Sequence, residues 1–348
     1  MNALLEVRDL IVEFKTRDGI VRVLDQISFD VNAGEILGIV GESGCGKSMT
    51  ALSLMGLVPT PPGNIAGGRI AMQDQNLLDL DQEQLRHIRG SEISMIFQEP
   101  MSSLNPVFTV GEQIAEALRL HEKISSKEAM DRAIDMLQAV DIPEPESRSK
   151  AYPHQLSGGM RQRVMIAIGL ACRPKLLIAD EPTTALDATV QAQIFDLLKN
   201  LQKDMDTAII LITHDMGAIA ELADRVAVMY AGRIVEQGSV VNVLMEPKHP
   251  YTKGLIDCVP HLETNPSTER KRLTEIPGVV PALDKLNQGC AFAPRCAQAL
   301  SHCNDIKPQL DSVDNAVNIE LDHADKNQEL VACHLYGTTG NESQGVAG

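Results

Sequence analysis

The chain has 348 residues, with 31 Lys and Arg against 47 Asp and Glu, for a formal charge of −16. At this length about two domains are expected, and 44% apolar against 22% charged residues is a globular composition, which excludes a disordered or fibrous chain. The acidic balance disfavours a basic nucleic-acid footprint over the whole chain and direct anchoring on an anionic lipid surface.

In chain order, LLEVRDLIVEF, VRVLDQISFDV and EILGIV read as strands. The opening MNALLEVRDLIVEF carries acids and alternates apolar with polar residues, so it reads as a strand and not as a signal peptide. No apolar run reaches the roughly 20 residues that cross a bilayer, and the expected compartment is the cytosol. A helix is expected over 49–57 and a Pro/Gly loop over 58–65. Helices are expected over 112–120 and 126–140. In the second, Met130, Ala133, Ile134, Leu137 and Val140 recur at helical spacing, Ser125 and Glu128 suit a capping box, and Pro143 and Pro145 end the segment. A further helix is expected over 157–171. Apolar runs at 176–180 and 207–213 then flank a helical stretch at 188–202. This alternation predicts an α/β fold with buried strands and a helical insert between about 100 and 155. From about 241 the text becomes Pro-punctuated and weakly periodic, as in PKHPYTKG and IPGVVPALD, and predicts a second unit or long appendage.

Gly41-Glu42-Ser43-Gly44-Cys45-Gly46-Lys47-Ser48 fits G-x-x-x-x-G-K-S/T between a strand and a helix, with Met49 next on that helix. Glycines let the backbone curl so that its N–H groups and the helix N-terminus surround phosphate. Lys47 is expected on the β- and γ-phosphates and Ser48 on Mg²⁺. LLIAD ends in Asp180, the expected Mg²⁺-side carboxylate, and Glu181 follows as the expected general base for the attacking water. His214 follows the run at 207–213 and is placed to contact the γ-phosphate or orient the water. Gln98, after SMIF, is placed to reach Mg²⁺ or that water. Ser157, Gly158 and Gly159 open another helix as a second anion-binding start, which suggests a nucleotide bound to a partner.

In the order GESGCGKS, Gln98, LSGGM, LLIADE, Ala185-Leu186-Asp187 and His214, the motifs resemble those of the ATP-binding subunits of ABC transporters. The resemblance covers about residues 1–245. It implies a P-loop NTPase of the ABC ATPase type: a RecA-like core with an antiparallel β-subdomain and a helical subdomain. It also implies two such units sandwiching two ATPs head to tail, with Asp187 at the seam and Met160 in place of the usual glutamine. Phe14 is the candidate for stacking on adenine. The longer stretches YPHQLSGGMRQRVMIAIGLACRPKLLIADEPTTALD, MIFQEPMSSLNP, HPYT and IPGVVP resemble the dipeptide and oligopeptide importer branch, which includes nickel importers, with dipeptide-type D subunits as the nearest form. That implies a homologous second ATPase, two permease subunits, an external solute-binding protein acting indirectly, and a place on the cytoplasmic face of the bacterial inner membrane. The expected division is 1–245 for the nucleotide-binding unit and 246–348 for a C-terminal extension. A competing class, a metal-stabilised interaction module with regulatory ATP binding, is disfavoured by Glu181 and His214.

Seven cysteines, an odd number in a reducing compartment, make a disulfide framework unexpected. Four lie late, as Cys290-x5-Cys296-x6-Cys303-x29-Cys333. Four soft thiolates suit either an iron–sulfur cluster or Zn²⁺, and unligated buried thiols are the remaining reading. The resemblance of CAFAPRC and the following cysteines to the peptide-importer branch implies a 4Fe–4S cluster with a structural role, with His302 and His334 beside it.

Overall fold

The computed structural model describes residues 3–98, 103–184, 186–259, 275–286, 288–313 and 328–336. Glu99, Pro100, Met101, Ser102 and Ala185 of the motifs above lie outside the described residues.

β1 (Leu5–Lys15) and β2 (Ile20–Val31) pair antiparallel, Leu5 opposite Val31 and Lys15 opposite Ile20. Val7 and Leu10 both face inward although three positions apart, because the register shifts between them, where Asp9 takes φ 47°. β3 (Ile36–Val40) is buried at every position and leads to α1 (Lys47–Leu54). β4 (Gly63–Met72) and β5 (Gln75–Asn76) complete a four-stranded sheet in the order β2-β1-β4-β5. The loop expected over 58–65 therefore gives way at Gly63. Pairing of Gly63, Asn64 and Ile65 with Phe14, Glu13 and Val12 overrides their local turn chemistry.

β6 (Ile93–Ile96), β7 (Leu176–Asp180), β8 (Ala208–Thr213) and β9 (Arg225–Tyr230) build the second sheet with β3, all parallel, in the order β9-β3-β8-β7-β6. Burial on both faces explains their continuous apolar text. β10 (Arg233–Ser239) adds antiparallel to β9.

The helices between the strands follow the expected text closely. α2 (Gln82–Ile88) precedes β6. α3 (Val110–His121) and α4 (Ser126–Ala139) form the helical insert. Ile114 and Leu118 of α3 share one buried cluster with Ala133 and Leu137 of α4, and with Val40, Ile96 and Leu177 of the sheet. The Ser125 hydroxyl accepts the Glu128 N–H at 3.2 Å, capping α4. Pro145 does not merely stop this region; it opens the short α5 (Pro145–Arg148) at its first turn, where a missing N–H costs nothing. α6 (Gly158–Leu170), α7 (Ala188–Met205) and α8 (Met216–Leu222) link the parallel strands. Among the described residues no helix is long and apolar enough to cross a membrane.

After α9 (Val240–Met245) and α10 (Pro250–Asp257), the chain returns to the large sheet through β11 (Asp311–Ser312) and β12 (Leu330–Val331). β12 pairs antiparallel with β10, Val331 opposite Glu236. Tyr251 and Phe292 belong to the same buried cluster as the parallel strands. Their rings meet Tyr230 of β9 at centroid distances of 4.6 and 5.3 Å. Burying a side chain such as Phe292 contributes roughly 1.5–3 kcal/mol. The late residues are thus joined to the core by both sheet pairing and shared packing.

Candidate functional site

β3 delivers the chain into the loop Gly41–Ser48, and α1 carries it away. Two glycines there are required by shape. A Cβ on Gly41 would stand 2.2 Å from the Met229 carbonyl oxygen, and Gly46, the cap of α1, sits at φ 108°. Lys47 is 5% exposed, and its ammonium bonds the carbonyls of Gly41 and Glu42 at 2.7 and 3.2 Å. A cation and the free first-turn N–H groups of α1 are thereby gathered within one curl of backbone, which is a phosphate-binding arrangement. Ser43, Gly44 and Ser48 are exposed on this curl, and Met49 is half-buried. Cys45 instead turns its side chain into the apolar core, where burial pushes its thiol up.

Asp180, at the end of β7, is 3% exposed, and its Oδ1 has no hydrogen-bond partner. Burial pushes this carboxyl up, against a hydrogen bond from Ser48 and the charge of Lys47. An orphaned buried carboxylate oxygen beside a hydroxyl is a donor set that suits a hard cation such as Mg²⁺.

Glu181 follows in the left-handed region at φ 46°, with its N–H bonded to the Ile212 carbonyl at 2.9 Å. Three side chains converge on its carboxylate. Gln98 Nε2 and Thr184 Oγ1 donate to Oε2 at 2.8 and 3.0 Å, and His214 Nδ1 stands 3.2 Å from Oε1. Burial pushes this acid up, but the bonds from His214 and Thr184 and the charges of His214 and Lys47 outweigh it, so the net shift is downward. The ionised form, the one able to accept a proton, is favoured.

Ser157 caps α6 by accepting the Met160 N–H at 3.3 Å, and Asp187 caps α7 by accepting the Val190 N–H at 3.0 Å. The two helix starts adjoin: a Cβ on Gly159 would lie 2.8 Å from Val190 Cγ1. Ser157 and Gly158 are exposed and Gly159 is half-buried. Phe14 is half-buried in β1, with its ring against Gly63.

Three residues of the site were not singled out by the sequence. Thr184 bonds Glu181, and its position three residues on was the available signal. Tyr251 accepts the Glu42 N–H at 2.8 Å, and Arg295 holds the Glu42 carboxylate through two bonds, at 2.7 and 3.1 Å. Both lie more than 200 residues from Glu42, beyond any local pattern.

The late cysteines depart from expectation. Cys290, Cys296, Cys303 and Cys333 line one small pocket with His334, yet among the described residues no group of three or more His, Cys, Asp or Glu side chains could hold a metal ion. Burial pushes the thiols of Cys290, Cys296 and Cys333 up, the last to about 11. The expected 4Fe–4S cluster, and Zn²⁺ in its place, are therefore not supported. Cys303 Sγ instead accepts the Leu300 N–H at 3.3 Å, and Cys290 and Cys296 pack against the core cluster. His334, expected beside a cluster, pairs its Nε2 with the Ile306 carbonyl at 2.9 Å and meets the His302 ring edge to face.

Residues 24–184 match the family described as ABC transporter, and residues 235–303 match the oligopeptide/dipeptide transporter C-terminal region. The chain is 52% identical over 310 residues to a probable peptide ABC transporter ATP-binding protein of Sinorhizobium fredii, covering 89% of this chain and 92% of that one. It is 48% identical to the oligopeptide transport ATP-binding protein AppD of Bacillus subtilis, covering 98% and 99%. Among solved structures, it resembles a dimeric ATP-binding cassette in a post-hydrolysis state bound to ADP and Pi, with a TM-score of 0.61 at 27% identity over 68% of this chain and 98% of that one. It also resembles a cassette from Clostridium perfringens that is part of an ABC transporter complex, with a TM-score of 0.60 at 29% identity over 71% and 92%. The RecA-like P-loop core, the helical insert and the C-terminal region are those of one family, and the chain belongs to the ATP-binding subunits of oligopeptide/dipeptide ABC transporters.

Proposed function

We propose that this subunit hydrolyses ATP to drive import of dipeptides or oligopeptides through a membrane permease. The observation that carries the reading is the convergence of Gln98, Thr184 and His214 on Glu181, one residue from Asp180 and its orphaned oxygen. Lys47 and the first turn of α1 bind the β- and γ-phosphates, and Ser48, Asp180 and Gln98 hold Mg²⁺. Bound Mg²⁺ supplies charge neutralisation on the phosphate oxygens. Glu181 takes the proton of the attacking water, while His214 orients that carboxylate and Gln98 ties it to the helical insert. Phe14 is the proposed adenine contact.

The cassette works as a dimer. Ser157, Gly158 and Gly159 present an exposed helix start to the nucleotide of a second, homologous ATPase, with Asp187 at the seam. Closure on ATP and reopening after hydrolysis move the helical insert against two permease subunits at the cytoplasmic face of the inner membrane, and an external binding protein supplies the peptide. Residues 1–245 form the nucleotide-binding unit and 246–348 its extension. The test is uptake into vesicles carrying the complete transporter, loaded with binding protein. Peptide uptake that requires ATP and is lost in Lys47→Ala supports the reading; ATP-dependent uptake of nickel without peptide uptake overturns it.

A further inference from the structure

Tyr251 of the HPYT segment and Arg295 of CAFAPRC both end on one residue of the phosphate loop. Each backbone and side-chain group of Glu42 is held. Its N–H donates to Tyr251 Oη at 2.8 Å, its carbonyl accepts from Lys47 Nζ at 3.2 Å and Cys45 N at 3.3 Å, and its carboxylate takes two bonds from Arg295 at 2.7 and 3.1 Å. The Arg295 side chain is 4% exposed, and its remaining donors reach the carbonyls of Pro277 and Ile276 and the Tyr230 hydroxyl.

The Tyr251 anchor is itself fixed. His249, 1% exposed, accepts the Tyr251 N–H on Nδ1 at 3.0 Å, and Pro250 starts α10. The fully buried Glu236 carboxylate accepts the N–H groups of Lys248 and His249 at 2.6 and 3.0 Å. Burial holds the His249 imidazole neutral, with its pKa lowered to about 3, as an acceptor on Nδ1 requires. Tyr251 also packs on Tyr230 and Phe292. The tyrosine hydroxyl is therefore aimed by a rigid base and not by a mobile loop.

We infer that Tyr251 and Arg295 are positioning residues for the nucleotide: the C-terminal region sets the curl of the phosphate loop by clamping Glu42 at both backbone and carboxylate. Lys47 has three N–H donors, two of which the carbonyls of Gly41 and Glu42 take here, so engaging both phosphates draws it away from at least one of them. The two C-terminal anchors do not depend on Lys47, so they keep the loop shaped while that exchange occurs. A preorganised loop loses less entropy on binding, and its N–H groups already face the ligand. The inference rests on the ATP-binding role proposed above.

The test is ATP affinity and binding stoichiometry of the full-length chain with its partner subunits, in Tyr251→Phe, Arg295→Ala, Glu42→Ala and the Arg295→Ala/Glu42→Ala double variant. Tyr251→Phe leaves a half-buried N–H unpaired and is expected to weaken ATP binding roughly fivefold. Arg295→Ala is expected to weaken it about tenfold, with the double variant no worse than the weaker single one. The number of ATP molecules bound per chain at saturation stays near that of wild type, because a misplaced loop alters affinity whereas a lost fold lowers the fraction of chains that bind at all. If Arg295→Ala melts within the assay range, Tyr251→Phe, which removes one oxygen, decides. Affinities of Tyr251→Phe and Arg295→Ala within about twofold of wild type overturn the inference, as does a double variant whose losses multiply. A wild-type protein that binds no ATP, and is indistinguishable from Lys47→Ala, overturns the underlying reading instead.

Discussion

His214 Nδ1 and Glu181 Oε1 stand 3.2 Å apart and join the C-terminal ends of the neighbouring parallel strands β8 and β7. Gln98, just past the end of the adjoining strand β6, bonds the same carboxylate. Three adjacent strands thus each deliver one group to a single point at their carboxyl edge, where open α/β sheets place their ligands.

Replacing Glu181 by Gln keeps the shape but removes the proton acceptor. Steady-state ATP turnover is expected to fall at least about 100-fold while nucleotide binding persists. Turnover near wild type in this variant would remove Glu181 from the general-base role.

Asp180→Asn weakens the oxygen donor set while leaving the buried volume unchanged. Its ATPase activity is expected to need at least about tenfold more Mg²⁺ for half-saturation, and chelation of Mg²⁺ is expected to abolish wild-type turnover. An unchanged Mg²⁺ titration would place the cation elsewhere.

Asp187 separates structural from seam roles. Asp187→Ala loses the cap of α7 and is expected to cost about 1 kcal/mol in chemical denaturation, whereas Asp187→Asn keeps the cap. Reduced turnover in a fully stable Asp187→Asn assigns the charge to the dimer seam; normal turnover leaves Asp187 as a cap alone.

Asp25 gives a pH signature to the join between β2 and the C-terminal region. Burial pushes its carboxyl up, but hydrogen bonds from Lys307 and Arg233 outweigh this and hold it at about 2, below the ordinary 3.8. Because the folded value is depressed, the stabilisation is fully present above 3.8 and is lost as pH falls towards 2. Asp25→Asn is expected to be less stable than wild type at pH 7 by no more than about 1 kcal/mol after solvent screening, with the gap closing between about pH 4 and 2. Parallel denaturation curves at both pH values would refute the linkage.

The sequence read most clearly where chemistry is local. The loop at 41–48, the strand end at Asp180 and Glu181 and the helix starts at Ser125 and Ser157 each carry their signal within a few residues, because curled backbones, strand ends and caps are short-range structures. The bonds that bring Gln98 and His214 onto Glu181 span 83 and 33 residues, and there motif order had to stand in for geometry. β4 was hidden because Gly63 and its neighbours have turn chemistry and gain strand form only from β1. The cysteine spacing suggested metal, but spacing along the chain carries no information on whether the folded side chains converge on one ion, and among the described residues no such group is found.

The pairing of β12 with β10 also bears on where the chain can be divided. A chain cut after residue 245 would remove β12 from beside β10, leave the Val235 carbonyl without the Ala332 N–H, and uncover the Tyr230 ring. An open sheet margin beside bare aromatic surface invites strand addition from another molecule. Self-association of such a fragment would therefore reflect a raw edge and not the nucleotide-driven pairing of two cassettes.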